Sequence, residues 1–203
     1  MIDNELMSQK KAAFNARTKQ YRKQGYDRFL AVDFVVGSAG PLSGPALDIG
    51  TGKGLTAMAL ARRKLDVISV DTNSDEQALA AMLAVEAGLI ERIRFVHGDA
   101  SSLNFPDRHF GCAVLMDVLH HLKEPIPVLE EIKRVLRPSG ILILADFDAK
   151  GFELIASIHQ QDGREHAVSG ATLESTQSFL CRNGFTIKLR QSGHYHEIII
   201  LER

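Results

Sequence analysis

Leu47-Asp48-Ile49-Gly50-Thr51-Gly52-Lys53-Gly54-Leu55 joins a short apolar run to a helical segment, and its spacing decides the reading of the whole chain. Three glycines at alternate positions let the backbone turn tightly and bring its N–H groups close to a ligand, where a Cβ would obstruct. Two familiar uses of such a turn do not fit. A phosphate-binding loop needs Gly-x-x-x-x-Gly-Lys-Ser/Thr, but the fifth residue after Gly50 is Leu55 and no Lys-Ser/Thr follows. A dinucleotide-binding fingerprint needs Gly-x-Gly-x-x-Gly, and its third glycine would again fall on Leu55.

Outward from this turn the chain alternates between short apolar runs and helical stretches. Ala46–Ile49 reads as a first strand and Gly54 to Arg63 as a helix; Asp66–Asp71 is a second strand, followed by a helix over Asp75 to Ala87 that Gly88 stops. Ile93–His97, Cys112–Asp117 and Ile141–Phe147 read as three further strands, with a helix from Pro127 to Leu136 before the last. Such alternation implies right-handed crossovers and a parallel sheet covered on both faces. The ending differs. After a helix over Ala171 to Arg182, the runs Phe185–Leu189 and Glu197–Leu201 are separated only by Arg190–His196, too short for a crossover helix, so they are expected to form an antiparallel hairpin at the sheet edge. The expected fold is α/β: a doubly wound, seven-stranded sheet, mostly parallel with a C-terminal antiparallel hairpin and helices on both faces. Upstream, Tyr26, Phe29, Leu30 and Phe34 recur at helical spacing and are expected to pack as one stripe, ending at the Gly/Pro-rich stretch 37–45. The chain is therefore read as a single domain: an N-terminal helical cap (1–45), a core (46–147) and a variable helical segment with the terminal hairpin (148–203).

With 203 residues, 45 % apolar and 24 % charged, the composition is that of a globular domain and excludes disordered, collagen-like and coiled-coil classes. No apolar run reaches the ~18 residues of a membrane helix and the first residues lack a signal-peptide core, so the expected location is cytoplasmic. Cys112 and Cys181 form neither a disulfide framework nor a metal-ligand spacing. The first 28 residues hold seven Lys/Arg against three Asp/Glu, leaving an acidic remainder in a chain of net charge −1. A basic arm on an acidic body points to an anionic ligand or to a solvated helix face.

What remains for the glycine turn is Asp-x-Gly-x-Gly-x-Gly, and here the chain resembles the class I (Rossmann-like) S-adenosylmethionine-dependent methyltransferases. The resemblance runs from about Ala46 to Phe147 through segments that agree in order: the glycine turn, Val67-Ile-Ser-Val-Asp71, His97-Gly-Asp-Ala100, Cys112-Ala-Val-Leu-Met-Asp117-Val-Leu-His120-His121-Leu122, and Glu131-Ile-Lys-Arg-Val-Leu-Arg-Pro138-Ser139-Gly140. The usual Pro-Gly-Gly is Pro-Ser-Gly here. The resemblance implies S-adenosyl-L-methionine as cofactor. It implies that Asp71, at a strand end 17 residues past Gly54, accepts both ribose hydroxyls. Asp99 would accept from the adenine amino group with the Ala100 amide nearby. Asp48 would orient the turn and the methionine amino group. Gly50, Thr51, Gly52, Gly54 and Thr72 would complete the cofactor site, with Met116 and Asp117 beside the methyl group.

Methyl transfer from a sulfonium is an in-line displacement, so alignment is the main task and a base is needed only for an acceptor that must lose a proton. His120, His121, Asp146, Asp148, His159, His166, His194, Tyr195 and His196 are candidates, of which His121 and Asp146 stand best placed as catalytic groups. His194 and His196 share a strand face, but two histidines without a carboxylate make a poor metal site and none is expected. The Asn/Asp-Pro-Pro-Tyr/Phe signature of enzymes that methylate planar amino groups is absent, Met116-Asp117-Val118-Leu119 standing in its place, and there is no Trp to stack bases. The expected function is methyl transfer to a small-molecule acceptor, with no membrane partner, nucleic acid disfavoured but left open as a partner, and the oligomeric state left open. The alternatives are an RNA or protein methyltransferase, using Lys10, Lys11, Arg17, Lys19, Arg22 and Lys23, and a non-catalytic S-adenosylmethionine-binding module.

Overall fold

The computed structural model describes residues 4–161 and 171–203. Two helices, α1 (Asn4–Lys23) and α2 (Arg28–Ser38), precede β1 (Ala46–Ile49), α3 (Leu55–Arg62), β2 (Val67–Asp71), α4 (Ser74–Glu86) and β3 (Ile93–His97). Then come β4 (Phe110–Met116), α5 (Pro125–Val135), β5 (Leu136–Phe147), α6 (Ala149–Gln161), α7 (Leu173–Arg182), β6 (Thr186–Gly193) and β7 (His196–Glu202). The sheet runs β3-β2-β1-β4-β5-β7-β6. Its first five strands are parallel, and β7 is antiparallel to both β5 and β6. Strand order reverses between β1 and β4, and at such a reversal the helices part to either face and leave a crevice at the carboxyl ends of the strands.

Burial follows from this layering. All seven residues of β4 are buried, as a central strand covered on both faces requires. Its alternation divides the core: Cys112 and Val114 join α2, α3, Ile143 and Ile198 on one side, whereas Ala113 and Leu115 meet Leu129, Ile132, Leu142 and Leu201 on the other.

Four expectations need correction. Tyr26 precedes α2, Leu30 is 56 % exposed, and the buried face of the helix is Ala31, Val32, Val35 and Val36. Arg-Phe-Leu-Ala-Val-Asp-Phe-Val-Val is apolar nearly all round, so several stripes satisfy the helical period and only contact with α3 selects one. The helix α6 has no counterpart among the expected elements, although Ile155 and Ile158 bury its inner face. The hairpin connection shrinks to His194 and Tyr195, at φ +50° and +68°, the primed geometry that matches strand twist. Finally, β5 begins at Leu136, not Ile141, because Ser139 N–H and Gly140 C=O bond to Arg203 beside β7.

Part of the basic arm is paired within the chain. Lys10 Nζ lies 2.9 Å from Asp75 Oδ2 and Lys11 pairs with Glu86, tying α1 to α4. No helix among the described residues is long and apolar enough to cross a membrane.

Candidate active site

A cavity of about 440 Å³ opens at the carboxyl edge of the sheet, where β1 and β4 diverge. The glycine turn forms its floor. Gly50 stands at φ +82°, and a Cβ there would lie 2.3 Å from Val118 Cγ2, so the turn and the segment after β4 approach too closely for any side chain. Gly52 is different: at φ +47° its hypothetical Cβ meets nothing within 4 Å, so a side chain would project into open space at the cavity wall. Gly54, also left-handed, starts α3 against Ala80.

Two strand-end carboxylates mark the wall. Asp71, the last residue of β2, accepts from Gly52 N–H at 3.0 Å through one oxygen and from Asn73 N–H at 2.8 Å through the other, which locks its plane beside the turn. Asp99, two residues past β3, accepts from Ser101 N–H at 2.8 Å, and hydrogen bonds from that residue hold its carboxyl below the usual range. Thr51, Thr72, Gly98, Ala100 and Met116 complete this half of the wall.

Asp48 does not reach the cavity. It is 1 % exposed and accepts from Ser69 Oγ at 2.6 Å behind the turn; Thr51 Oγ1 lies 2.7 Å from Ser69 Oγ and 3.2 Å from Gln77 Nε2. Burial pushes the Asp48 carboxyl up to about 7 against the Ser69 hydrogen bond, with the charge of Asp71 adding to the rise. Its link to the turn runs through Ser69 Oγ.

At the other end Asp117 follows β4 at φ +58°, with Oδ1 3.0 Å from Nε2 of His196 on β7. His196 is fully buried, and its Nδ1 lies 2.8 Å from the His194 carbonyl. Burial alone would lower its pKa, but the charge and hydrogen bond of Asp117, helped by the His194 carbonyl, raise it. The two expected catalytic groups separate. His121 lines the cavity, and partial burial next to His120 holds its pKa below the ordinary histidine range. Asp146, 4 % exposed, does not line it and instead lies 2.6 Å from Nδ1 of His120, whose ring centroid is 4.0 Å from that of His121.

Of the other candidates, Asp148 accepts from Gly151 N–H at 2.7 Å at the start of α6, and His159 lies on that helix away from the cavity. His166 lies outside the described residues. His194 packs on Phe34, centroids 5.0 Å apart, while His196 turns inward, so the two do not converge on one ion. Among the described residues no group of three or more His, Cys, Asp or Glu is arranged to hold a metal.

The sequence reading missed Tyr26, Arg28 and Val32 as wall residues. Tyr26 is buried edge-to-face against Phe147 and Tyr195, with centroids 6.0 and 5.6 Å away. Its sequence signal was helical spacing with Phe29, Leu30 and Phe34, which marks a packed aromatic but not a cavity wall.

Residues 47–144 match the family described as a methyltransferase domain. Over this stretch, just under half of the chain, the sheet order, glycine turn and matched residues are similar to those of class I S-adenosylmethionine-dependent methyltransferases. The crevice fits S-adenosylmethionine: an open face at Gly52 for a ligand to approach and acidic acceptors at Asp71 and Asp99. The Bacillus subtilis methyltransferase YcgJ is 36 % identical over 100 residues, 49 % of this chain and 39 % of its own. Its crystal structure superposes with a TM-score of 0.62 at 26 % identity, covering 79 % of this chain and 70 % of that one. The 27-O-demethylrifamycin SV methyltransferase of Amycolatopsis mediterranei is 34 % identical over 102 residues, 50 % of this chain and 38 % of its own. The demethylmenaquinone methyltransferase of Renibacterium salmoninarum is 30 % identical over 128 residues, 63 % and 52 %. The match thus spans about two fifths to one half of these curated relatives.

Proposed function

We propose that the chain transfers a methyl group from S-adenosylmethionine to a small-molecule acceptor, working as one domain whose N-terminal cap closes the acceptor end. The observation that carries this reading is the continuity of the cavity: one space runs from Asp71 and Asp99 past the glycine turn to Met116, Asp117 and His121 beneath Tyr26. In this reading Asp71 holds the ribose hydroxyls, Asp99 and Ala100 the adenine edge, and Gly50 to Gly52 give backbone access, with Thr51, Gly54 and Thr72 shaping the turn. Asp48 acts from beneath by bracing Thr51 through Ser69.

When bound, the cofactor supplies an electrophilic methyl carbon on a sulfonium for in-line displacement. The chain's own residues align, exclude water and take up a proton. His121 is the base: its lowered pKa keeps it neutral near pH 7, the state that accepts a proton from a hydroxyl or ammonium acceptor. Asp146 acts through His120, fixing that ring against His121. Val32, Val118, Leu122 and Val128 give the cavity apolar surface that suits an organic body and displaces water.

The small-molecule class is favoured over a macromolecule by two points. Lys10 and Lys11, two of the basic residues an RNA would need, are already matched by Asp75 and Glu86. Two relatives are named for small organic acceptors, demethylrifamycin SV and demethylmenaquinone. The test is incubation with methyl-labelled S-adenosylmethionine and a panel of small phenols, acids and amines beside tRNA and a protein extract. Label recovered in a small acceptor supports the reading; label recovered only in RNA or polypeptide overturns it.

A further inference from the structure

The cavity wall carries two permanently charged cations, and they are treated differently. Lys53 is committed to Glu76. Arg28 has no carboxylate partner among the described residues. It is the first residue of α2, where the aligned N–H groups of a helix disfavour a cation, so the position does nothing for the helix. Its guanidinium carbon lies 5.2 Å from the ring centroid of Phe14 and 5.3 Å from that of Tyr21, both on α1. Contacts with two rings hold the group in place by its faces and leave its N–H edge for a ligand.

None of the carboxylates on the same wall pairs with it; each is engaged elsewhere. Asp71 is bonded to the Gly52 and Asn73 amides, Asp99 to Ser101 and Asp117 to His196. We infer that Arg28 is the anion-recognition residue of the crevice and takes a carboxylate, through the paired donors by which a guanidinium matches two coplanar oxygens. A monoanion fits better than a phosphate, because Lys53 is already engaged and three acidic residues share the wall.

This rests on the cofactor reading above. The carboxylate can come from two sources, the amino-acid tail of the cofactor or an acidic acceptor. Calorimetry with S-adenosylhomocysteine and with methylthioadenosine, which shares the nucleoside and thioether but lacks the tail, separates them in the wild-type chain, Arg28→Gln and Arg28→Lys. If the tail is the ligand, Arg28→Gln weakens S-adenosylhomocysteine by about tenfold or more and leaves methylthioadenosine within about twofold. If the acceptor is the ligand, both nucleosides are unaffected, but benzoate shifts amide resonances of the wild type and not of Arg28→Gln, and uncharged benzamide shifts neither. Arg28→Lys keeps stem and charge and is expected to recover part of the loss; should Arg28→Gln fail to fold, it reads the same comparison. The inference is overturned if S-adenosylhomocysteine and benzoate both bind, or both fail to bind, alike in wild type and variant. Failure of methylthioadenosine to bind the wild type would count against the cofactor reading instead, and the benzoate arm on the unliganded chain would still decide Arg28.

Discussion

His196 faces an acceptor at each ring nitrogen, the His194 carbonyl at 2.8 Å and an Asp117 carboxylate oxygen at 3.0 Å, so the ring must carry both protons to satisfy the pair. Desolvation opposes that charge, and Asp117 outweighs it; Asp146 on β5 adds in the same direction, while Tyr26 and Phe147 pack against the ring without charge. A histidine whose folded pKa exceeds its unfolded value of about 6.5 contributes stability that is whole below that value and is lost as pH rises through the folded one. Thermal melting of the wild type should therefore fall more steeply above pH ~6.5 than that of His196→Gln, which can still donate to Asp117 but does not titrate. Equal slopes would show that the ring is not charged. Residues differ in how far the sequence reveals them. Asp71 and Asp99 are legible because each ends or closely follows a strand, and the ends of neighbouring parallel strands meet at one edge. The partnership of His196 with Asp117, 79 positions apart, depends on β7 inserting beside β5, which no local pattern announces.

The turn between β1 and α3 is an element whose three glycines serve separate demands, and they make separate predictions. Gly52→Val adds a side chain where the protein has nothing within 4 Å, so the added carbons enter the crevice instead of the core. Its positive φ costs about 1–3 kcal/mol of stability, yet the fold should survive with a native circular dichroism spectrum while S-adenosylhomocysteine binding is lost. Normal binding by this variant would move the cofactor away from the turn. The element scale also shows where reading by period stops working. The strands β1 to β5 stand out because buried parallel strands are short apolar runs between helices. In α2 that same rule fails, since a helix apolar nearly all round has no stripe to read until α3 and the hairpin cover it. The hairpin's short turn was hidden because His-Tyr is not the Asn-Gly pair that usually supplies two positive φ angles.

At the scale of the molecule, the order β3-β2-β1-β4-β5-β7-β6 gathers residues spread from Tyr26 to Val128 around one opening. That order was legible because alternating strands and helices permit few crossovers, and the switch between β1 and β4 fixes where the crevice falls. The cap was only half legible: its helices were expected, but the contribution of Tyr26, Arg28 and Val32 to the wall arises from their packing over β4, β5 and β7. The central claim is that this crevice is built for S-adenosylmethionine, and calorimetry tests it most directly. S-adenosylmethionine and S-adenosylhomocysteine are each predicted to bind at one site, and Asp71→Ala to cost about 2–4 kcal/mol of that affinity, the sum of two charge-assisted hydrogen bonds to the ribose. NADH and ATP should show no heat of binding. Tighter binding of a nicotinamide dinucleotide, or an affinity for S-adenosylhomocysteine unchanged in Asp71→Ala, would contradict the account.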